Sequence, residues 1–145
     1  MSIWFNKDIT INDFSDWSKN TLAEYLDIQF IYIGEDHLNA RMPVNERVHQ
    51  PYGLLHGGAS AVLAETIGSI ASALVIDHEK FMALGIEINA NHVRSVRSGF
   101  VHATCRSLNL GKTIHVWEIK MCDDNDKLVC AARLTVMIKK RPEEI

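Results

Sequence analysis

The stretch that most constrains this fold is Gly57 to Ile76, GGASAVLAETIGSIASALVI. It reads as one long helix with a single charge, Glu65, and no Lys, Arg or Pro. Apolar and small residues cover every face, the pattern of a helix buried all round. Ala59, Ala61, Ala64, Gly68, Ser69, Ala71 and Ala73 would let neighbouring backbone approach closely. A lone carboxylate buried in such a helix is costly unless it is paired or hydrogen-bonded, so Glu65 demands a reason. The stretch is nearly long enough to span a bilayer. Its Ala, Gly, Ser and Thr content, its lack of flanking basic anchors and its mid-span carboxylate argue against a span.

At 145 residues the chain is read as one domain, 1–145, large enough for a real core. It is 47% hydrophobic and 23% charged, a globular balance. A net charge of −3 points to neither nucleic acid nor a polybasic membrane patch. Cys105, Cys122 and Cys130 are odd in number and lack CxxC spacing. That fits a reducing cytoplasm and argues against a disulfide framework or a zinc cluster. The opening MSIWFNKDIT has no apolar run of the secretory kind.

Residues 10 to 26 read as short helical turns, with Thr10 or Asn12 capping the first and Asn20 capping TLAEYL. Trp4, Phe5, Phe14, Trp17, Leu22 and Leu26 would supply their packing face. IQFIYI and LNARMPV alternate as strands around a GEDH turn. Asn45 to Leu55 reads as a loop before the helix, and Asp77 to Lys80 as the polar turn after it. Four β-rich runs follow: FMALGIEINANHV, GFVHATCRSL, TIHVWEIKMC and LVCAARLTVMI. The intervening RSVRSG, NLGK and DDND carry the Gly, Asn and Asp of hairpin turns. In IHVWEIKM, His115, Trp117, Ile119 and Met121 share one face. The expected class is α+β, with an antiparallel sheet curved around one apolar helix.

Glu65 is the first candidate for chemistry. A buried acid can be structural as well as catalytic. A catalytic one could act as general base on water or as nucleophile. Gly57 and Gly58 stand at the helix start, where backbone N–H groups lack internal acceptors and the helix dipole favours a developing oxyanion. They also suit a tight turn into the helix. Gly57 and Glu65 are eight residues apart, ~12 Å along one helix, too far to serve one carbonyl carbon. A shared site in a two-fold dimer with antiparallel helices would bring them together. Ser69 lies one turn beyond Glu65 on the same face, placed to hold water or carboxylate, or simply small for packing. Arg94, Arg97 and Lys112 are cations in turns or at strand ends, suited to phosphate. The NLGK turn offers backbone N–H groups around Gly111.

The element order, with HGGASAVLAET at the helix start, resembles the hotdog fold. More narrowly it is similar to acyl-CoA thioesterases of the phenylacetate-pathway and 4-hydroxybenzoyl-CoA type that carry a helix glutamate. HQPYGLLHGGASAVLAETIGS is especially similar to the 1,4-dihydroxy-2-naphthoyl-CoA hydrolases of menaquinone synthesis and to their aryl-carrier-protein proofreading relatives. The likeness runs from about residue 10 to residue 138, and GIEINANHVR and NLGK…WE add to it. It departs at NANHVRSV, where close relatives carry a second His and a Pro.

The resemblance implies a thioesterase that needs no cofactor and no metal. Its substrate would be an acyl-CoA with an aromatic acyl group, or an acyl or aryl group on a carrier protein. Glu65 would be the catalyst, with Gln50 donating an amide bond near the thioester and His56 shaping the same wall. Gly85, the segment His92, Val93, Arg94 and Ser95, and the segment Asn109, Gly111, Lys112 and Thr113 would line the acyl and pantetheine channel. Active sites would be shared between subunits of a homodimer, which would pair into a homotetramer through its outer sheet faces.

The rivals lack their signatures. There is no HExxH, GxSxG, GxGxxG or P-loop. A dehydratase of this fold would want an acid–His pair, which only His56 could supply. A non-catalytic acyl-CoA-binding module would bind without turnover and would bring an added regulatory segment, for which the N-terminal residues are too few and too acidic.

Overall fold

In a computed structural model, which describes residues 1–143, the N-terminal segment forms 3-10 turns at Ile11–Asp13 and Ser15–Ser18 and then a short helix, α1, Leu22–Tyr25. Thr10 caps the first turn as expected: its N–H and hydroxyl both reach Asp13 Oδ2, at 2.7 and 2.8 Å. α1 is capped at Thr21 rather than Asn20. Asn20 instead takes a left-handed φ of 58° and donates its N–H to Glu24 Oε2, which is the reason it stands outside the helix. Of the expected packing residues Trp4, Phe14 and Leu26 are buried, whereas Phe5, Leu22 and Trp17 face outward.

β1 (Gln29–Ile33) and β2 (His37–Pro43) form a hairpin, and a short 3-10 turn, Glu46–Val48, interrupts the loop that follows. Then come the long helix α2, Gly57–Val75, and strands β3 (Phe81–His92), β4 (Phe100–Leu110), β5 (Ile114–Cys122) and β6 (Leu128–Lys140). The strands make one antiparallel sheet in the order β1-β2-β4-β5-β6-β3. Residues 109–112 and 123–126 fall at true hairpins, although Asn109 and Leu110 belong to β4. RSVRSG does not make one: β3 pairs with β6 at the far edge, while β4 pairs with β2. The helix carries the chain across the sheet to that edge, and residues 94–99 bring it back.

α2 packs on the concave face against Leu38, Ala40 and Met42 of β2, Val101, Ala103 and Cys105 of β4, and Leu134, Val136 and Ile138 of β6. The period-2 alternation of β5 is as expected, with His115, Trp117, Ile119 and Met121 buried. Gly68 packs directly against β6; a methyl group there would stand 2.5 Å from Leu134 Cδ2.

The helix is long and apolar enough to cross a membrane, yet it is the core helix of this fold, with nine residues from Ala59 to Leu74 buried. One expectation is corrected here. In the single chain only the sheet-facing side is covered, and Glu65, on the other side, is exposed. A one-layer sheet has no second layer to cover that side.

Candidate active site

His56 ends the loop before α2 in extended conformation and caps the helix, its Nδ1 accepting the Gly58 N–H at 2.8 Å. Gly58 is therefore occupied, and of the glycine pair only the Gly57 N–H meets no acceptor among the described residues. Backbone bonds from Leu55 N–H to the Val96 carbonyl and from His56 N–H to the Val48 carbonyl, both 2.7 Å, pin this loop to its neighbours. Gly57 lies under the His92 ring; a Cβ there would come within 2.7 Å of His92 Nε2. Only glycine allows that approach.

Gln50 sits in the same corner. Its backbone N–H donates to the Leu54 carbonyl at 2.8 Å, and its side-chain oxygen accepts the Tyr52 N–H. The amide NH₂ end is left to donate. Gln50, His92, Val93, Arg94 and Ser95 line one cleft of about 300 Å³, closed on its apolar side by Leu54 and Leu55. Those two leucines were missed in the sequence; nothing but their place between Gln50 and the helix start marks them. Arg94 Nε donates to the Leu128 carbonyl at 3.3 Å, and Arg97 is exposed over Gly53.

Glu65 and Ser69 are two turns or more along the helix from that cleft. The carboxylate rests on β3: a methyl group at Gly85 would stand 2.7 Å from Glu65 Oε1. Among the described residues Glu65 has no ion-pair partner. The Asn109–Thr113 segment lies elsewhere again, at the C-terminal end of α2. There Gly111, Lys112 and Thr113 line a cavity of about 660 Å³ with Val75, Ile76 and His115. One chain thus holds three groups of expected site residues: Gln50, Gly57 and His92–Ser95 at the helix start, Glu65 with Gly85 at its middle, and the 109–113 turn at its end.

Among the described residues no three His, Cys, Asp or Glu side chains gather as metal ligands. A carboxylate, an open helix N–H and a free amide donor make an acyl-transfer set: an acid to activate water or attack, and donors for an oxyanion.

An antiparallel sheet wrapped on one long helix, with that set along the helix, defines the class as hotdog-fold thioesterase. The chain belongs to the Thioesterase superfamily, whose family model matches residues 52–130. It is therefore a thioester hydrolase. It is 48% identical over 136 residues to the 1,4-dihydroxy-2-naphthoyl-CoA hydrolase of Escherichia coli, covering 94% of this chain and 98% of that one. It also matches the crystal structure of a glutamine-to-alanine mutant thioesterase from Pseudomonas aeruginosa, with a TM-score of 0.93 and 43% identity over 97% of this chain and 100% of that one. A Staphylococcus aureus protein, 42% identical, was solved as a glutamate-to-alanine and as a glutamine-to-alanine mutant. The TM-scores are 0.81 and 0.79, with 83% and 81% of this chain and 99% and 98% of those chains covered.

Proposed function

We propose that this protein hydrolyses an aromatic acyl-CoA thioester to the free acid and coenzyme A, at a site built from two copies of the chain. The first candidate substrate is 1,4-dihydroxy-2-naphthoyl-CoA, the substrate in the name of the Escherichia coli relative. The observation that carries the reading is the placement of Glu65: exposed on the open side of α2, over Gly85, and eight residues along the helix from the only open N–H of the glycine pair. In the Staphylococcus aureus protein the substituted glutamine and glutamate stand fifteen residues apart, the separation of Gln50 and Glu65 here. That spacing supports a joint role for the pair.

Two contacts support a particular arrangement of the proposed dimer. Glu65 sits over Gly85, and Gly57 sits under His92. Midway between them on β3 is Ile88. β3 is an edge strand, unpaired on its outer side, with Leu84 and Ile86 exposed. A two-fold axis near Ile88, pairing β3 with its copy, runs the helices antiparallel and sets Gly57 of one protomer opposite Glu65 of the other. Dimerisation also covers the open helix side and the strand edge, which is a liability when left bare. A tetramer through the outer sheet faces would follow the same symmetry.

In that site Gly57 N–H and the Gln50 amide polarise the thioester carbonyl. Glu65 either takes a proton from water as it attacks, or attacks itself to give a mixed anhydride that water opens. The C–S bond breaks as the tetrahedral intermediate collapses, and the thiolate leaves with the proton Glu65 or solvent returns. Ser69, one turn away, is placed to hold the water. The 109–113 turn lies about 15 Å beyond Glu65 along the helix, a span suited to an extended pantetheine arm.

The test is thiol release from a panel of benzoyl-, hydroxybenzoyl-, hydroxynaphthoyl-, phenylacetyl- and straight-chain acyl-CoA, with the same acyl groups on a carrier protein as a second arm. Fast aryl-CoA turnover that falls at least about a thousandfold in Glu65→Gln is the expected result. Preference for the carrier protein would move the substrate to that handle. Binding without turnover would overturn the reading.

A further inference from the structure

A third cavity stands between Glu65 and the 109–113 turn. The stripe of α2 that carries Glu65 and Ser69 continues, at helical spacing, through Ala73 to Ile76. Ala73 and Ile76 floor a groove of about 450 Å³. Met82 and Ala83 form one wall, on the strand that carries Gly85. The groove shares Ile76 and Phe81 with the larger cavity of Gly111, Lys112 and Thr113. It therefore fills the gap between the middle of the helix and its end.

Trp17 and Arg141 close this groove, and neither falls within residues 52–130, the part that the family model matches. Trp17 is braced between the Phe14 ring, 6.0 Å away between centroids, and the His78 ring, edge-on at 5.3 Å. Arg141 donates its main-chain N–H to the Lys80 carbonyl at 2.8 Å and its Nε to the His78 carbonyl at 2.6 Å. His78 thus holds both, one with its ring and one with its carbonyl. Both Nη groups of Arg141 are left to donate, and among the described residues no carboxylate pairs with them. The Staphylococcus aureus relative is matched over 99% of its length by 83% of this chain. Its glutamine and glutamate each stand eighteen positions nearer the N-terminus than Gln50 and Glu65 do here, so it has no counterpart of Trp17. The fold forms without that side chain.

We infer that this groove holds the phosphopantetheine arm of the substrate, with Trp17 packed on its apolar pantoyl part and the Arg141 guanidinium on its phosphate. Ala73 and Ile76 lie ~12 and ~16 Å along the helix axis from Glu65. At the ~3.6 Å that three bonds advance in an extended chain, the arm spans about 16 Å from sulfur to phosphorus. With the thioester at Glu65, the phosphate arrives at the Arg141 end of the groove, where a planar guanidinium can take two of its oxygens. An indole face suits the pantoyl methyl groups. The inference rests on the proposed role of Glu65 and deepens that reading. Coenzyme A and a carrier protein bear the same arm, and Trp17 and Arg141 would bind it from either. They take no part in bond breaking.

The experiment compares one aromatic acid as its thioester with N-acetylcysteamine, pantetheine, 4′-phosphopantetheine, coenzyme A and a carrier protein. Arg141→Gln should cut kcat/KM on the phosphopantetheine and CoA thioesters about tenfold relative to the pantetheine thioester, through KM, the worth of a charge-assisted hydrogen bond. Arg141→Lys should recover part of that loss. Trp17→Ala should cut kcat/KM about fivefold on every thioester that carries the pantetheine arm, relative to the N-acetylcysteamine thioester. Lys80→Gln removes a neighbouring cation paired with Asp77 at 3.0 Å, and should keep the native ratios. Melting curves establish that each variant is folded, and the Arg141 variants decide the matter should Trp17→Ala fail to fold. A loss on the carrier-protein thioester as well shows that the groove takes the arm from either source; a loss with coenzyme A alone assigns it to the free coenzyme. Native ratios in folded Arg141→Gln or folded Trp17→Ala overturn the inference. So does a loss in Arg141→Gln that is equal with and without the phosphate, or that Lys80→Gln reproduces. Failure of the native protein to cleave any of the thioesters would instead bring down the proposed function.

Discussion

The Glu65 carboxylate rests against the bare backbone of Gly85, at a distance that a single added methyl group would close to 2.7 Å. Helix and edge strand meet there without a side chain between them. The contact fixes the height of the carboxylate above β3 and so where it can reach across to a second copy.

Gly85→Ala should therefore separate activity from stability. The methyl group would press on Oε1, the movable end of an exposed side chain, so the unfolding free energy should change by less than about 0.5 kcal/mol. Turnover should fall at least about tenfold, because displacement of a reacting group by an ångström is that costly. Chemical denaturation beside a thioester assay checks both; native turnover in the variant would detach Gly85 from the site.

Gly68→Ala should do the reverse. Its methyl group would stand 2.5 Å from Leu134 Cδ2, and Leu134 is fully buried with nowhere to go. Overpacking of this kind costs about 1–3 kcal/mol, against about 1 kcal/mol regained from helix propensity. Urea unfolding should show a net loss of up to about 2 kcal/mol with per-site turnover little changed. A more stable variant would show that helix and sheet can part at this point.

Acid should weaken the fold through His115. Burial pushes its pKa below the ordinary 6.5, with the Gly111 carbonyl pulling weakly the other way. The unfolded chain takes up the proton first, so the stability due to neutral His115 is whole above about pH 6.5 and is lost as pH falls through the lower folded value. Asp77, Lys112 and Lys140 are the charged groups sharing its cavity. Asp13, Asp36, Asp77 and Asp124, held below 3.8 by hydrogen bonds from Thr10, His37, Lys80 and His102, act only in stronger acid. Melting curves at pH 7.5 and 5.5 should show a smaller drop in His115→Gln than in the native chain. Equal drops would place the acid-sensitive group elsewhere.

Much of this was legible in local pattern. The unbroken apolar run fixed α2 to within a residue of its end, and the alternation in IHVWEIKM named the buried face of β5. RSVRSG carries hairpin residues, but whether two strands pair depends on where the helix has carried the chain, and that is not local. Glu65 looked buried because every neighbour on the helix is small or apolar; the sheet covers only one side. Gly58 looked as available as Gly57 until the His56 ring was seen to take its N–H. The separation of the 109–113 turn from Gln50 and His92 is a tertiary fact, set by the length of α2.

The central claim is that one site takes Glu65 from one chain and the Gln50–Gly57 corner from another. It is tested most directly by mixing two crippled proteins, Glu65→Gln and Gln50→Ala, unfolding them together and letting them refold. In a mixed dimer one site receives native Glu65 and native Gln50, and the other receives both lesions. The account predicts activity far above either variant alone, approaching about half the native rate per mixed dimer. A mixture no more active than the average of its two components would contradict the shared site.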